Sequence, residues 1–128
     1  MSRQVIATPE APKAIGPYSQ AIAVAPARMV FLSGQVPLDP ATGAMVAGDI
    51  EVQVERVMKN LSGVLAAAQL GFDHVVRTTL YLTDLSEFTR VNDVYARYFS
   101  EAPPARATVQ VAALPRGAKI EIDAIAVG

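Results

Sequence analysis

The 128-residue sequence is long enough for one domain, residues 1–128, and too short for two, and its net charge of −1 offers no basic surface for nucleic acid. Hydrophobic residues make up 52% and charged residues only 18%, so we expect a homo-oligomer that covers part of the apolar surface. The chain contains no cysteine, which excludes disulfides and thiolate chemistry, and no apolar run of signal-peptide or membrane-spanning length, so we expect a cytoplasmic protein without a membrane partner.

Three short strands are predicted in the first third of the chain. A strand at residues 4–7 precedes a turn-rich loop, which delivers Tyr18 to the head of a second strand at residues 18–25. A third strand at residues 29–33 follows the turn Pro26-Ala27-Arg28. This short connection predicts that the second and third strands form a hairpin.

The clearest helix of the sequence follows, and its apolar residues recur at helical spacing over about twenty residues. Asp49 is placed to cap its first turn, and Gly71 is placed to end it. The helix is therefore predicted to pack one face on a core. Its apolar positions are Ile50, Val54, Val57, Met58, Leu61, Val64, Leu65 and Ala68.

A β-branched strand at residues 75–82 and a second helix at about residues 87–99 come next. Asp84 or Ser86 can cap this helix. Its apolar face is formed by Phe88, Val91, Tyr95 and Phe99, with Asn92 nearly beside them.

Two strands at residues 106–113 and 119–127 complete the chain, and a turn at Pro115-Arg116-Gly117 predicts that they form a hairpin. The resulting β-β-β-α-β-α-β-β order predicts an α+β fold in which two helices cover one face of a sheet. The other face is left open. It needs a partner, most simply the sheet of another copy around a rotation axis.

Arg106 and Glu121, one on each of the last two strands, are the sharpest functional signal. An arginine binds a planar carboxylate through two parallel hydrogen bonds, and a glutamate in a cleft can handle a proton or a water, so the pair suggests chemistry on a small carboxylate-bearing substrate. An ordinary salt bridge or two unrelated charges remain open. The predicted hairpin register keeps them about 17 Å apart along the strands, so they meet, if at all, across a subunit boundary.

Other candidates carry weaker signals. His74, the single histidine, is predicted to be a surface or capping residue rather than a metal ligand. Glu121 and Asp123 share a strand face, which suits a solvated or oligomer-lining row better than a glycosidase carboxylate pair. Ser33 lacks a nucleophile pattern and is predicted to donate a hydrogen bond. Tyr18 follows the rigid Gly16-Pro17 and is either a site residue or a structural hydroxyl.

Four separate segments, in order from about residue 4 to the end, resemble the RidA (YjgF) family of reactive imine deaminases. They are Ile15-Gly16-Pro17-Tyr18-Ser19-Gln20, Leu32-Ser33-Gly34-Gln35-Val36-Pro37, Val91-Asn92-Asp93-Val94-Tyr95, and the stretch from Pro104-Ala105-Arg106 through Leu114-Pro115 to residues 119–126. The resemblance implies a chorismate-mutase-like α+β fold, assembled as a homotrimer with sites at the subunit interfaces.

The same resemblance implies an activity and its residues. The substrates would be 2-imino acids such as 2-iminobutyrate and 2-iminopropionate, or their enamine tautomers, and the products 2-keto acids and ammonia, with no cofactor or metal. Arg106 matches the carboxylate clamp, Glu121 the residue that activates a water, and Tyr18, Ser33, Gly34 and Asn92 other site-lining positions. Thr108 also matches a substrate-binding position, where many family members have cysteine and use mainly the backbone.

Two alternatives of other classes stay open. Relatives have been described as endoribonucleases or translation inhibitors, and others as non-catalytic binding modules. An acidic pI of about 5.7 and the lack of interleaved aromatic and basic residues argue against an RNA-binding surface. The sequence does not distinguish a regulatory trimer that binds a keto acid without turnover from an enzyme.

Overall fold

The computed structural model describes residues 3–25 and 28–128. Its elements follow the predicted β-β-β-α-β-α-β-β order. No helix in the described parts of the chain is long and apolar enough to cross a membrane. The strands are β1 (Arg3–Ile6), β2 (Ala21–Val24), β3 (Met29–Gln35), β4 (Val75–Leu82), β5 (Ala105–Gln110) and β6 (Ile120–Val127), and the helices are α1 (Ile50–Ala67) and α2 (Phe88–Tyr95).

Four strands form the main sheet in the order β3-β6-β4-β5, with β5 parallel to β4 and the other neighbours antiparallel. The predicted hairpin of the last two strands is therefore wrong, because β4 lies between them. On one side of β6 every second residue from Ile120 to Ala126 is buried, which suits a central strand. β5 carries the half-buried Arg106 and the exposed Gln110, which suits an edge.

The predicted hairpin of the second and third strands is also wrong. β2 pairs with β1 in a separate two-stranded sheet, and β3 pairs with β6. All four residues of β2 are half-buried, so the burial pattern of β2 does not determine which strand it pairs with. Leu32 of β3, in contrast, is buried in the core opposite Ala124 of β6. The turn residues Pro26 and Ala27 lie outside the described residues.

Helix α1 begins as predicted, with the Asp49 carboxylate accepting the Val52 N–H at 3.3 Å. Its end was predicted wrongly at Gly71. The helix ends at Ala67, and Gln69 takes the left-handed conformation (φ 62°) while the Leu70 N–H donates to the Leu65 carbonyl. These bonds satisfy the last carbonyls without a glycine.

Both helices pack on the same face of the main sheet. The buried face of α1 belongs to one core cluster with Leu80, Ile120 and Ile122, and only Val64 of its strongly apolar predicted positions is exposed. The predicted second helix is α-helical only over α2 and continues as single 3₁₀ turns at Leu85–Glu87 and Ala96–Tyr98. Its apolar face is confirmed, since Val91 and Tyr95 are fully buried.

The opposite face of the sheet leaves large apolar side chains in solvent. Phe31 is 69% exposed and Val109 is 41% exposed. Isolated apolar residues are common on surfaces, and these two lie on the opposite edge strands, so the association of chains stays a prediction.

Candidate functional site

The Arg106 guanidinium is enclosed by three aromatic rings and one amide. Its central carbon lies 5.5 Å from the ring centre of Tyr18, 5.3 Å from that of Phe88 and 5.2 Å from that of Tyr95. Nη1 donates to the Asn92 Oδ1 at 2.7 Å. Three of these four residues come from one side of α2 at spacings of four and three, so the position of a single helix sets most of the enclosure.

Tyr18 is brought to Arg106 by the segment around Ser19. The buried Ser19 donates its N–H to the Pro104 carbonyl at 3.2 Å and its hydroxyl to the Pro103 carbonyl at 2.5 Å. This joins the segment to the chain immediately before β5, so the Tyr18 ring packs against the first polar residue of that strand. The structure therefore places Tyr18 in the Arg106 site rather than in a remote corner.

Arg106 is a half-buried cation without an acidic partner. In residues 3–25 and 28–128 no carboxylate forms an ion pair with it, and Asn92 accepts the single hydrogen bond recorded for its five N–H donors. Burial lowers the pKa of Arg106 from its ordinary value, although a guanidinium stays protonated. An incompletely solvated charge is costly unless it is paired, so this site favours an anion from outside the chain.

The Tyr95 hydroxyl does not supply that anion. Burial raises the pKa of Tyr95 to about 12, and its hydroxyl shares a 2.7 Å hydrogen bond with the Thr78 hydroxyl. The ring therefore remains a neutral phenol beside Arg106 and contributes its π-face, not a negative charge.

This raised pKa predicts an alkaline dependence of stability. Tyr95 ionises near pH 10 in the unfolded chain and near 12 in the folded one, so its contribution to the unfolding free energy is complete below pH 10 and is lost as the pH rises toward 12. Urea unfolding between about pH 9 and pH 11 should show wild type losing up to about 1.4 kcal/mol per pH unit more than Tyr95→Phe above pH 10. Parallel curves for the two proteins would contradict the assignment.

Glu121 and Gly34 form a second group, on β6 and β3. The pairing register of these strands shifts between Leu32 and Gln35, which marks a bulge at Ser33 and Gly34. The Glu121 side chain lies over Gly34 so closely that a Cβ built there would be 2.8 Å from the carboxylate carbon. Any larger residue at this place would displace the Glu121 carboxylate, and Ser33 is exposed beside it.

The two groups lie on opposite faces of the sheet. Arg106 pairs with Thr78 and faces α2, whereas Glu121 pairs with Tyr81 and alternates with the buried Ile120. The predicted 17 Å separation rested on the wrong hairpin. The observed registers place the two residues two strands and three residues apart, about 14 Å between their backbones. One chain does not bring the cation and the carboxylate together.

Thr108 lies two residues beyond Arg106 on the same strand. Its hydroxyl is buried and has no hydrogen-bond partner among the residues that the structure describes. Solvent does not reach this oxygen, and the substrate-binding role of Thr108 stays a prediction. His74 is confirmed as a capping residue, since its Nδ1 accepts the Gly71 N–H at 3.1 Å.

Phe88, Tyr95 and Thr78 are site components that the sequence did not reveal as such. Phe88 and Tyr95 were predicted only as core residues of the second helix. The available signal was Asn92, a polar side chain beside an apolar helix face, which indicates that the face meets something polar. The identity of that partner depends on where α2 crosses β5, which local periodicity does not encode.

Two surface grooves border the two groups. One of about 720 Å³ runs beside Tyr18, and another of about 860 Å³ reaches Gly34 between α1 and the loop after β3. Neither groove is lined by Arg106 or Glu121. The grooves therefore adjoin the two groups through Tyr18 and Gly34 alone.

Comparison with known proteins gives consistent similarities. The profile of the family described as Endoribonuclease L-PSP matches residues 8–128. Protein DfrA of Myxococcus xanthus is 67% identical over 127 residues, covering 99% of this chain and 97% of that protein. The 2-iminobutanoate/2-iminopropanoate deaminase of Mus musculus is 50% identical over 125 residues, covering 98% and 91%. The crystal structure of E. coli TdcF with bound serine has a TM-score of 0.75 at 40% identity and covers 98% of each chain.

Proposed function

The chain belongs to the Endoribonuclease L-PSP family, also called RidA or YjgF, and from this premise we propose that it is a deaminase of 2-imino acids and their enamine tautomers. Its substrates are 2-iminobutanoate, 2-iminopropanoate and similar small acids, and its products are 2-keto acids and ammonia. The observation that carries the proposal is Arg106, a half-buried guanidinium with ring and amide contacts but no carboxylate partner in the described chain.

Arg106 is suited to hold the substrate carboxylate. With Nη1 bonded to Asn92, the remaining N–H groups present the planar edge that binds a carboxylate bidentately. The Nη2 atom borders Gly16, whose missing side chain leaves room beside this end of the guanidinium. The relatives named 2-iminobutanoate/2-iminopropanoate deaminase and the solved relative with bound serine act on or bind molecules with such a carboxylate.

The reaction needs a positioned water and a proton acceptor. The carbon of a protonated imine is already electrophilic, so holding substrate and water in line supplies much of the catalysis. The Glu121 carboxylate takes a proton as the water oxygen forms a bond to this carbon. It returns this proton to nitrogen and then accepts the proton of the new hydroxyl as the C–N bond breaks, so that ammonia leaves, the carbonyl of the keto acid forms, and the last proton passes to ammonia or solvent.

A complete site requires the Arg106 group of one chain beside the Glu121 group of another. The Arg106 group lies at the β5 edge of the main sheet and the Glu121 group lies toward the opposite β3 edge. Unlike surfaces that meet around a rotation axis close into a ring, with one site at each contact. Three chains in such a ring, as the family resemblance implies, would also cover the exposed Phe31 and Val109.

The assembly gives a direct prediction. Sedimentation equilibrium should find a particle of about 40 kDa, three chains of 13.5 kDa, at micromolar concentration. A stable monomer under these conditions would remove both the trimer and the interfacial site.

One assay tests the activity itself. A threonine dehydratase releases 2-iminobutanoate in the presence of semicarbazide, which traps the imine before it hydrolyses. Addition of the protein should reduce trapped imine and increase 2-ketobutanoate. Binding of 2-ketobutanoate without any change in trapping would instead identify a ligand-sensing protein.

The ribonuclease activity in the family's name receives less support from this chain. Its net charge is −1, so phosphate backbones gain little electrostatic attraction. The exposed Arg90 is surrounded by Asp49, Glu51 and Glu87, which neutralise it. A small carboxylate at Arg106 is the better match to these charges.

A further inference from the structure

A buried hydrogen bond lies beside the Arg106 guanidinium and joins α2 to β4. The hydroxyls of Thr78 and Tyr95 are 2.7 Å apart, and the two residues are only 2% and 0% exposed. Thr78 is the register partner of Arg106 on the neighbouring strand, and the Tyr95 ring is one of the three that contact the guanidinium. Both hydroxyls therefore belong to the immediate support of Arg106.

Stability alone gives little reason for two hydroxyls at this place. Thr78 shares its sheet face with the buried Leu80 and Leu82, where apolar side chains fill the core without a need for partners. A buried hydrogen bond between neutral groups adds little net stability, and leaving either hydroxyl unpaired is costly. The hydrogen bond fixes the position of the Tyr95 ring. This ring also packs against the Phe99 ring, with 4.7 Å between the ring centres.

A fixed ring matters because an arginine side chain is flexible. Ordering this side chain costs rotamer freedom, which weakens ligand binding unless the side chain is already ordered before the ligand arrives. Asn92 restrains one end of the guanidinium, and the Tyr95 ring restrains one of its faces. Together these contacts hold the unpaired N–H edge in one orientation.

We propose that Thr78 and Tyr95 are a positioning pair whose hydrogen bond orients Arg106 for carboxylate binding. Neither residue touches the substrate; both act through Arg106. The inference rests on the proposed function, because it assigns these residues to the same site. It predicts a loss in substrate affinity, not in the chemical step.

Thr78→Val and Tyr95→Phe test the pair, since each removes one hydroxyl and keeps the shape of the side chain. Each variant should raise the KM for 2-iminobutanoate and the Kd for 2-ketobutanoate by about three- to tenfold, with kcat within about twofold of wild type. The double variant should be no weaker than the single ones, because both remove the same bond. Thr78→Ser, which keeps the hydroxyl, should restore the wild-type values.

Tyr98→Phe is the matched control. It also removes a phenol hydroxyl with a partner, since Tyr98 donates to Glu55, but the Tyr98 ring packs against Phe72 and is not among the rings around Arg106. Its KM and Kd should equal those of wild type, whatever its effect on urea unfolding. If Thr78→Val and Tyr95→Phe change KM no more than Tyr98→Phe does, the pair is only structural and the inference is overturned. Failure of the proposed function is a separate result: wild type itself would then not deaminate the imine.

Discussion

Replacement of Arg106 by alanine should lower kcat/KM for 2-iminobutanoate by about thirtyfold or more. Removal of one partner of a buried charge contact costs roughly 2–5 kcal/mol, and the lower end applies because Arg106 is half exposed. Arg106→Lys should recover only part of the loss, since an ammonium is a point charge where a planar fork fits. The imine-trapping assay with threonine dehydratase measures both.

The fold should survive this change. Arg106 has no carboxylate partner in the described chain, so its removal leaves no buried anion behind. Arg106→Ala should therefore sediment as wild type does and still unfold cooperatively in urea, with a loss of stability limited to its ring contacts and the hydrogen bond to Asn92. Arg97→Ala is the control, because Arg97 is an exposed arginine just beyond α2 and should leave kcat/KM unchanged. Equal activity of Arg106→Ala and Arg97→Ala would contradict the site assignment.

The sequence predicts those parts of the fold that depend on local pattern. The periodic apolar positions of α1, the Asp49 cap and the β-branched run of β4 each identify an element from neighbouring residues alone. Gly71 misled because a left-handed helix end favours glycine, yet Gln69 adopts it here and a Schellman pair of hydrogen bonds closes the helix.

The local sequence pattern did not predict which strands pair. Proximity in sequence suggested that β5 and β6 form a hairpin, but Thr78 on β4 pairs with Arg106 on one side and with Ala124 on the other. β6 is buried along one whole side, so a central position in the sheet stabilises it more than pairing with β5, its nearest strand in sequence, would. This long-range choice also decides which face Arg106 occupies.

The site shows the same division. Arg106 and Glu121 were singled out by residue type and strand position, and Tyr18, Asn92 and Gly34 were assigned to the site by the resemblance of their motifs. The structure brings Tyr18 and Asn92 to Arg106 and Gly34 to Glu121. The sequence did not predict which rings enclose Arg106, because this depends on how α2 crosses β5. That the Arg106 group and the Glu121 group form one site stays a prediction, because it depends on a second chain.

Glu121→Gln should lower kcat about a hundredfold and leave KM nearly unchanged. The amide keeps the size of the side chain and still holds a water, but it does not accept the proton, and general base catalysis typically contributes at least about a hundredfold. Asp123→Asn is the matched control on the same strand face. Asp123 accepts the Tyr81 hydroxyl at 3.0 Å and has no part in the proposed reaction, so its kcat should stay within about threefold of wild type.

Mixing the two inactive variants tests whether Arg106 and Glu121 act across chains. In a three-membered ring each site takes its arginine from one chain and its glutamate from the next, so every mixed ring of Arg106→Ala and Glu121→Gln chains contains one intact site. Equal amounts, unfolded together and refolded, place about three quarters of the rings in the mixed class and should restore about a quarter of wild-type activity. If verified mixed trimers remain inactive, both residues serve a site within one chain, and the opposite faces that they occupy in the sheet would have to be reconciled by a rearrangement of β5.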